Sequence, residues 1–183
     1  MKIVLGSKSP RRKEILSLMG YNFDVRVSDK DEIIASTNPK EVVSSIALQK
    51  ANNIKISEDE LLICADTIVV LDNMILGKPK DKADAYKMIS LIQGRSHFVY
   101  TAVCLKTDNE TIEFVDEAEV TIYPMSELEI EEYINTPEPY DKAGGYAIQG
   151  IFSKHIKDYK GDYYTIMGLP KNKLEPILKE MTK

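Results

Sequence analysis

The chain contains no tryptophan, only two cysteines and only two histidines, and each scarcity removes a class of chemistry. Cys64 and Cys104 show no CxxC spacing and no accompanying histidine pattern, so neither a zinc site nor a redox dithiol is written here. Both sit in apolar runs and read as buried free thiols. His97 stands alone at the start of a strand-like stretch, where a structural role is the ordinary one. No apolar run approaches the ~18 residues that span a bilayer, and no apolar leader follows Met1-Lys2, so the chain is expected in the cytoplasm. A basic excess is missing too. The 24 Lys and Arg face 29 Asp and Glu, a formal charge of -5. That balance argues against stable coating of nucleic acid, while leaving room for a local basic cleft. The pattern GxxxxGK[ST] is absent, which excludes a P-loop.

What is present is ordinary in bulk and specific in places. At 183 residues, 43% hydrophobic and 29% charged, the chain suits a single domain over 1–183, compact or in two lobes. Near its start, Ile3-Val4-Leu5 reads as a strand, Gly6 to Ser9 as a tight loop, and Pro10 onward as a helix with Ser9 at its N-cap. Ser7, Ser9, Arg11 and Arg12 therefore gather where orphan N–H groups and the positive end of a helix dipole point. Cations at a helix N-terminus are mildly unfavourable unless an anion offsets them, so the stretch suits a phosphate or carboxylate.

Further along, Phe23, Val25 and Val27 alternate as a second strand, and Asp29, Asp31 and Glu32 cluster in a polar loop. Such clusters are ordinarily solvated and do not by themselves make a metal site. Asn38-Pro39 opens a helix whose apolar face is Val43, Ile46, Ala47, Ala51 and Ile54. Lys50 lies beside that face, either snorkelling past the core edge or reaching into a cleft. Leu61 to Ala65 is an apolar run that Asp66-Thr67 interrupts and Ile68 to Leu71 resumes. A carboxylate there must be paired, metal-bound or at the mouth of a pocket, unless it holds a strand bend through backbone N–H groups.

Asp72-Asn73 reads as a turn and Gly77-Lys78-Pro79 as a rigid bend that fixes the direction of Lys78. A helix follows from Asp81 to Gly94, then a long hairpin over 95–123 and a capping box at Ser126 to Glu129, with Leu128, Ile130 and Ile134 as the apolar residues of its short helix. The loop 140–150 carries three glycines, an Asp141-Lys142 pair and a Gln149 that looks buried; its amide can pair with a base edge. Ile151 to Ile156 reads as a strand, and a helix with Leu174, Ile177 and Leu178 ends the chain. Arg11, Arg12, Lys50 and Lys78 with Glu32 and Asp66 are the charges that hydrolysis of a nucleoside triphosphate requires, since cations bind phosphates and a divalent metal needs oxygen ligands.

Six ordered blocks resemble the Maf family of nucleoside triphosphate pyrophosphatases: Ser7-Lys8-Ser9-Pro10-Arg11-Arg12, Ala65-Asp66-Thr67-Ile68-Val69, Gly77-Lys78-Pro79, Gly94-Arg95-Ser96-His97, Glu138 to Gly150, and Gly168-Leu169-Pro170. The resemblance implies a mixed α/β fold like that of inosine triphosphate pyrophosphatases, with a central mixed sheet, flanking helices and a cleft between two lobes. It implies cleavage between the α- and β-phosphates with a divalent cation, Mg²⁺ or Mn²⁺. Asp66 would be the proton acceptor, Ser7, Arg11, Arg12, Lys50 and Lys78 would hold phosphates, and Glu32 would join Asp66 as a metal ligand.

Arg12, Thr67 and Gln149 match the branch that takes dTTP and UTP rather than 7-methyl-GTP. Ala102 and Thr165 stand where the family usually has Gly and Asn. The competing reading is a nucleotide-binding regulator of septum formation, which would need the cradle without the chemistry. For assembly, a homodimer is the commonest state of such a chain.

Overall fold

The computed structural model describes Met1–Lys183. One seven-stranded mixed sheet runs through it in the order β2 (Phe23–Val25), β1 (Lys2–Leu5), β3 (Glu60–Leu71), β5 (Ser96–Lys106), β6 (Thr111–Ile122) and β7 (Ile156–Lys160), with β4 (Met74–Leu76) attached to β3. Strand β1 (Lys2–Leu5) leads through a loop to α1 (Pro10–Leu18), and β2 (Phe23–Val25) returns parallel to β1. The expected alternation through Val27 stops at Val25, because Arg26 turns aside to grip Glu60 with two bonds of 2.8 Å. Helix α2 (Pro39–Asn52) starts at Asn38, whose side chain accepts from the N–H groups of Lys40 and Glu41.

Strand β3 (Glu60–Leu71) is the spine. It pairs with β1 in parallel over Glu60 to Ile63 and with β4 (Met74–Leu76) in antiparallel over Val69 to Leu71. Its other edge pairs with β5 (Ser96–Lys106) from Leu62 to Val70 without a break. Asp66 and Thr67 thus interrupt the hydrophobicity and not the strand. The turn between β3 and β4 places Asp72 and Asn73 at φ 49° and 64°, which these two residue types tolerate.

Helix α3 (Lys82–Ile92) precedes β5, and the hairpin closes with β6 (Thr111–Ile122). Helix α4 (Glu127–Ile134) begins with the expected reciprocal capping box between Ser126 and Glu129. Of the apolar residues expected there, Ile130 and Ile134 are buried together with Tyr133, whereas Leu128 is 65% exposed. Of the stretch 151–156, expected as a strand, only Ile156 belongs to one; Ile151–His155 does not. It forms a 3-10 turn, because the Glu138 carboxylate accepts from the N–H groups of Ile151 (2.7 Å) and Phe152 (3.0 Å) and winds the backbone around itself. Strand β7 (Ile156–Lys160) follows, then α5 (Tyr163–Met167) and α6 (Lys171–Met181).

Alternation along β3 divides the core. Leu62, Cys64, Ile68 and Val70 face one way and pack with Val43, Ala47 and Ala51 of α2. On the opposite face, Leu61, Ile63 and Ala65 join α1 and α6, whereas Val69 and Leu71 join α3 and α4. Thr67 stands where the second face changes cluster. No helix is long and apolar enough to cross a membrane. Cys64 and Cys104 face each other across β3 and β5 with no exposure, and burial pushes their thiols up to about 12 and about 11.

His97 is structural in the sense expected. It is 2% exposed, and its Nε2 lies 2.6 Å from the Tyr146 hydroxyl. Burial pushes the imidazole down to about 4, below the 6.5 of an exposed ring. The folded state thus resists a proton that the unfolded chain accepts, and stability falls as pH drops from 6.5 towards 4, by roughly 3 kcal/mol in all. Urea midpoints at pH 7 and pH 5 should differ more for the wild type than for His97→Gln. Equal differences would show that the ring carries no such penalty.

Candidate active site

The sheet leaves an opening at its centre. One edge of β3 changes partner from β1, whose pairing stops at Ile63, to β4, whose pairing starts at Val69, so Cys64 to Ile68 have a neighbouring strand on the β5 side alone. A cleft of about 380 Å³ sits against this gap. Both faces of β3 reach it there, which is how adjacent residues Asp66 and Thr67 line the same cleft from opposite sides of a strand. Such changes of strand partner in open α/β sheets are habitual ligand sites.

At the end of β1 the loop 6–9 feeds α1. Ser9 caps the helix, its Oγ accepting from the Arg12 N–H, and Pro10 occupies the first turn. Ser7 is 7% exposed, and its Oγ accepts from the N–H of Ser9 (3.1 Å) and from Nη1 of Arg12 (3.3 Å). With both lone pairs engaged, the Ser7 hydroxyl has only its hydrogen left for a ligand, which suits an anionic oxygen.

Arg12 is fixed at three atoms: Nε donates to the Gly168 carbonyl (2.8 Å), Nη1 to Ser7, and Nη2 to Thr67 Oγ1 (3.1 Å). Burial lowers its pKa, with Asp66 opposing that shift and Arg11 adding to it. The first turn of α1 holds no acidic residue. A desolvated guanidinium beside a second arginine at a helix N-terminus is a place where an incoming anion relieves repulsion.

Lys50 resolves its two sequence alternatives by reaching into the cleft. Its Nζ lies 2.7 Å from Asp66 Oδ1 and 3.8 Å from Glu32 Oε1, so the two predicted acids converge on one ammonium. Asp66 is the more enclosed, its side chain 17% exposed against 36% for Glu32 at the rim. No third His, Cys, Asp or Glu joins them to form a protein-only metal cage. Arg11 and Lys78 line the same cleft with side chains in no ion pair. Lys78 is exposed, on the bend the sequence predicted.

The glycine-rich segment closes the other wall. Gly144 takes φ 72° and donates its N–H to the Gly77 carbonyl (3.1 Å), tying this loop to the Lys78 bend; a Cβ there would meet Val69 at 2.8 Å. Gln149, which looked buried, is exposed and lines the cleft mouth, because the buried anchors of its segment are Tyr146, Ala147 and Ile148. Lys142, absent from the site residues read in the sequence, also lines the cleft, bonded to Asp141 at 2.7 Å and to the Glu138 carbonyl at 3.0 Å. The Asp141-Lys142 pair was its visible signal.

Behind Thr67 runs a polar chain that no local pattern announced. Thr67 Oγ1 lies 2.8 Å from Thr101 Oγ1, Thr101 donates to the Thr165 carbonyl at 2.8 Å, and Thr165 donates to Asp116 at 2.5 Å. Thr101 and Thr165 are both fully buried. Ala102, paired with Asp66 in register, packs into the α2 cluster and does not line the cleft.

Known proteins resemble this chain along its whole length. A "dTTP/UTP pyrophosphatase" of Clostridium beijerinckii is 48% identical over 187 residues, 99% of this chain and 100% of that one. Its counterpart in Bacillus anthracis is 44% identical over 181 residues, 98% of this chain and 95% of that one. Among solved structures, a HAM1 protein from Coxiella burnetii superposes with a TM-score of 0.55 at 17% identity, covering 98% and 99% of the two chains; it bears out the mixed α/β fold. A family model described as Maf-like protein matches residues 2–181, and with that match the resemblance of the six ordered blocks becomes membership: the chain belongs to the Maf family.

Proposed function

We propose that this chain is a nucleoside triphosphate pyrophosphatase that hydrolyses dTTP and UTP to the monophosphate and pyrophosphate. The observation that carries the reading is the convergence in one cleft of Ser7, Arg11, Arg12, Lys50 and Lys78 with the enclosed carboxylate of Asp66. Full-length relatives named for that activity support it. The reading takes residues 1–183 as one domain whose two lobes flank the cleft, acting on free nucleotides in the cytoplasm.

In this mechanism Arg11, Arg12 and Lys78 hold the triphosphate, and the Ser7 hydroxyl donates to one of its oxygens. Lys50 orients the Asp66 carboxylate, which accepts the proton of the water that attacks the α-phosphorus. Pyrophosphate leaves with its charge held by the same cations. Glu32 and Asp66 would hold a divalent cation, Mg²⁺ or Mn²⁺; two carboxylates completed by phosphate and water oxygens are the donor set Mg²⁺ ordinarily takes. When bound, that ion neutralises phosphate charge and lowers the pKa of water.

Pyrophosphate release from dTTP, UTP, CTP, GTP, dATP and 7-methyl-GTP tests the proposal. dTTP and UTP should turn over fastest, and a chelator should abolish release until Mg²⁺ or Mn²⁺ is restored. Nucleotide binding with no release from any of them would leave a nucleotide-binding regulator in its place.

A further inference from the structure

We propose that Thr101 is a positioning residue that fixes the Thr67 hydroxyl as a hydrogen-bond acceptor towards the cleft, and that the group it meets is the imide N–H of uracil or thymine. This rests on the reading of the cleft as a pyrimidine triphosphate site.

The argument is a count of protons. Thr101 has one hydroxyl hydrogen, and the Thr165 carbonyl takes it at 2.8 Å. Thr101 Oγ1 can then meet Thr67 Oγ1, 2.8 Å away, only as an acceptor, so Thr67 gives its own hydrogen inward. From the other side, Arg12 Nη2, which can only donate, occupies one lone pair of Thr67 Oγ1 at 3.1 Å. What Thr67 retains is a single lone pair. Every bond in the series runs one way, from Arg12 through Thr67 and Thr101 to the Thr165 carbonyl. The Thr165 hydroxyl donates to Asp116, itself 2.7 Å from Lys173, and so anchors the short helix that supplies that carbonyl.

Ser7 and Thr67, both bonded to Arg12, therefore have opposite polarity. Ser7 can only donate to a ligand, which suits phosphate oxygen, and Thr67 can only accept, which repels it. A ligand must present an N–H at Thr67. Gln149, exposed at the mouth, cannot impose this choice, since its amide can turn either end to a base. Uracil and thymine carry a hydrogen on N3, where cytosine carries a lone pair. Thr67, locked from behind, is the group able to tell them apart.

The test is the ratio of kcat/KM for UTP to that for CTP, measured for the wild type, Thr101→Val, Thr101→Ser and Thr67→Val. The wild type should favour UTP. Thr101→Val frees the Thr67 hydrogen to donate outward, and the ratio should fall by about tenfold. Thr101→Ser restores the acceptor and should restore the ratio. A merely structural role for Thr101 would lower both rates together and leave the ratio alone. Should Thr101→Val fail to fold, Thr67→Val, with its change at the cleft wall, carries the same expectation of a lost preference. An unchanged ratio in a folded Thr101→Val, or in Thr67→Val where Thr101→Val cannot be purified, overturns the inference while leaving the activity in place. Absence of UTP turnover in the wild type overturns the proposed function and this inference with it.

Discussion

Replacing Asp66 by Asn is expected to lower kcat by about a thousandfold while leaving nucleotide affinity within about threefold of the wild type. Asn keeps the volume and can still accept from Lys50 through its carbonyl, so the 2.7 Å contact and the strand around it survive. What it cannot do is take a proton from water. The alternative, that Asp66 merely neutralises Lys50 inside the cleft, predicts a different pattern: turnover would persist and the damage would appear as instability. Single-turnover pyrophosphate release together with a binding titration separates the two. Turnover within tenfold of the wild type in the folded variant would remove Asp66 from the chemistry.

The second large effect concerns Gly6. A Cβ at this position would stand 2.3 Å from Cys64 Sγ and 3.0 Å from Ile54 Cδ1, where no side chain can sit without displacing the core. Gly6→Ala should therefore cost about 2–3 kcal/mol and lower Tm by about 5–10 °C. Because the obstruction is mainly one sulfur atom, Cys64→Ala should relieve it. The double variant is expected to be about 1–2 kcal/mol more stable than the two single losses added together. Strict additivity by urea denaturation would mean that the backbone, not the thiol, forbids the methyl group. Gly6 also directs the chain from β1 to Ser7, so the single variant should weaken nucleotide binding even under conditions where it remains folded.

Elements with local causes were legible in the sequence. Asn38, Asp81 and Ser126 cap helices where the pattern placed them, the hairpin from Ser96 to Ile122 follows its alternation, and the 1–12 stretch folds as strand, loop and helix. Lys50 and Asp66 were legible as oddities, a cation beside an apolar face and a carboxylate inside a strand. Their meeting was not, because pairing depends on how α2 lies across β3. Gln149 looked buried because apolar neighbours surround it in sequence, yet those neighbours are the anchors that turn it outward. Ile151 to His155 has a strand's composition, and the Glu138 carboxylate, thirteen residues upstream of Ile151, overrides it. Thr165 showed only as a departure from the family's usual Asn, and Thr101 carried no signal, since a hydroxyl on a strand is unremarkable until the register sets it opposite Thr67.

The bond from Arg12 Nε to the Gly168 carbonyl joins residues 156 positions apart. During synthesis, Ser7, Arg12 and Thr67 leave the ribosome well before Gly168, whose carbonyl is the third acceptor of that guanidinium. Until Gly168 is released, the Arg12 guanidinium has Ser7 and Thr67 as its only partners and its Nε is unheld. A product that terminates before Gly168 should therefore carry the motif at its start with one side of the guanidinium left free to swing.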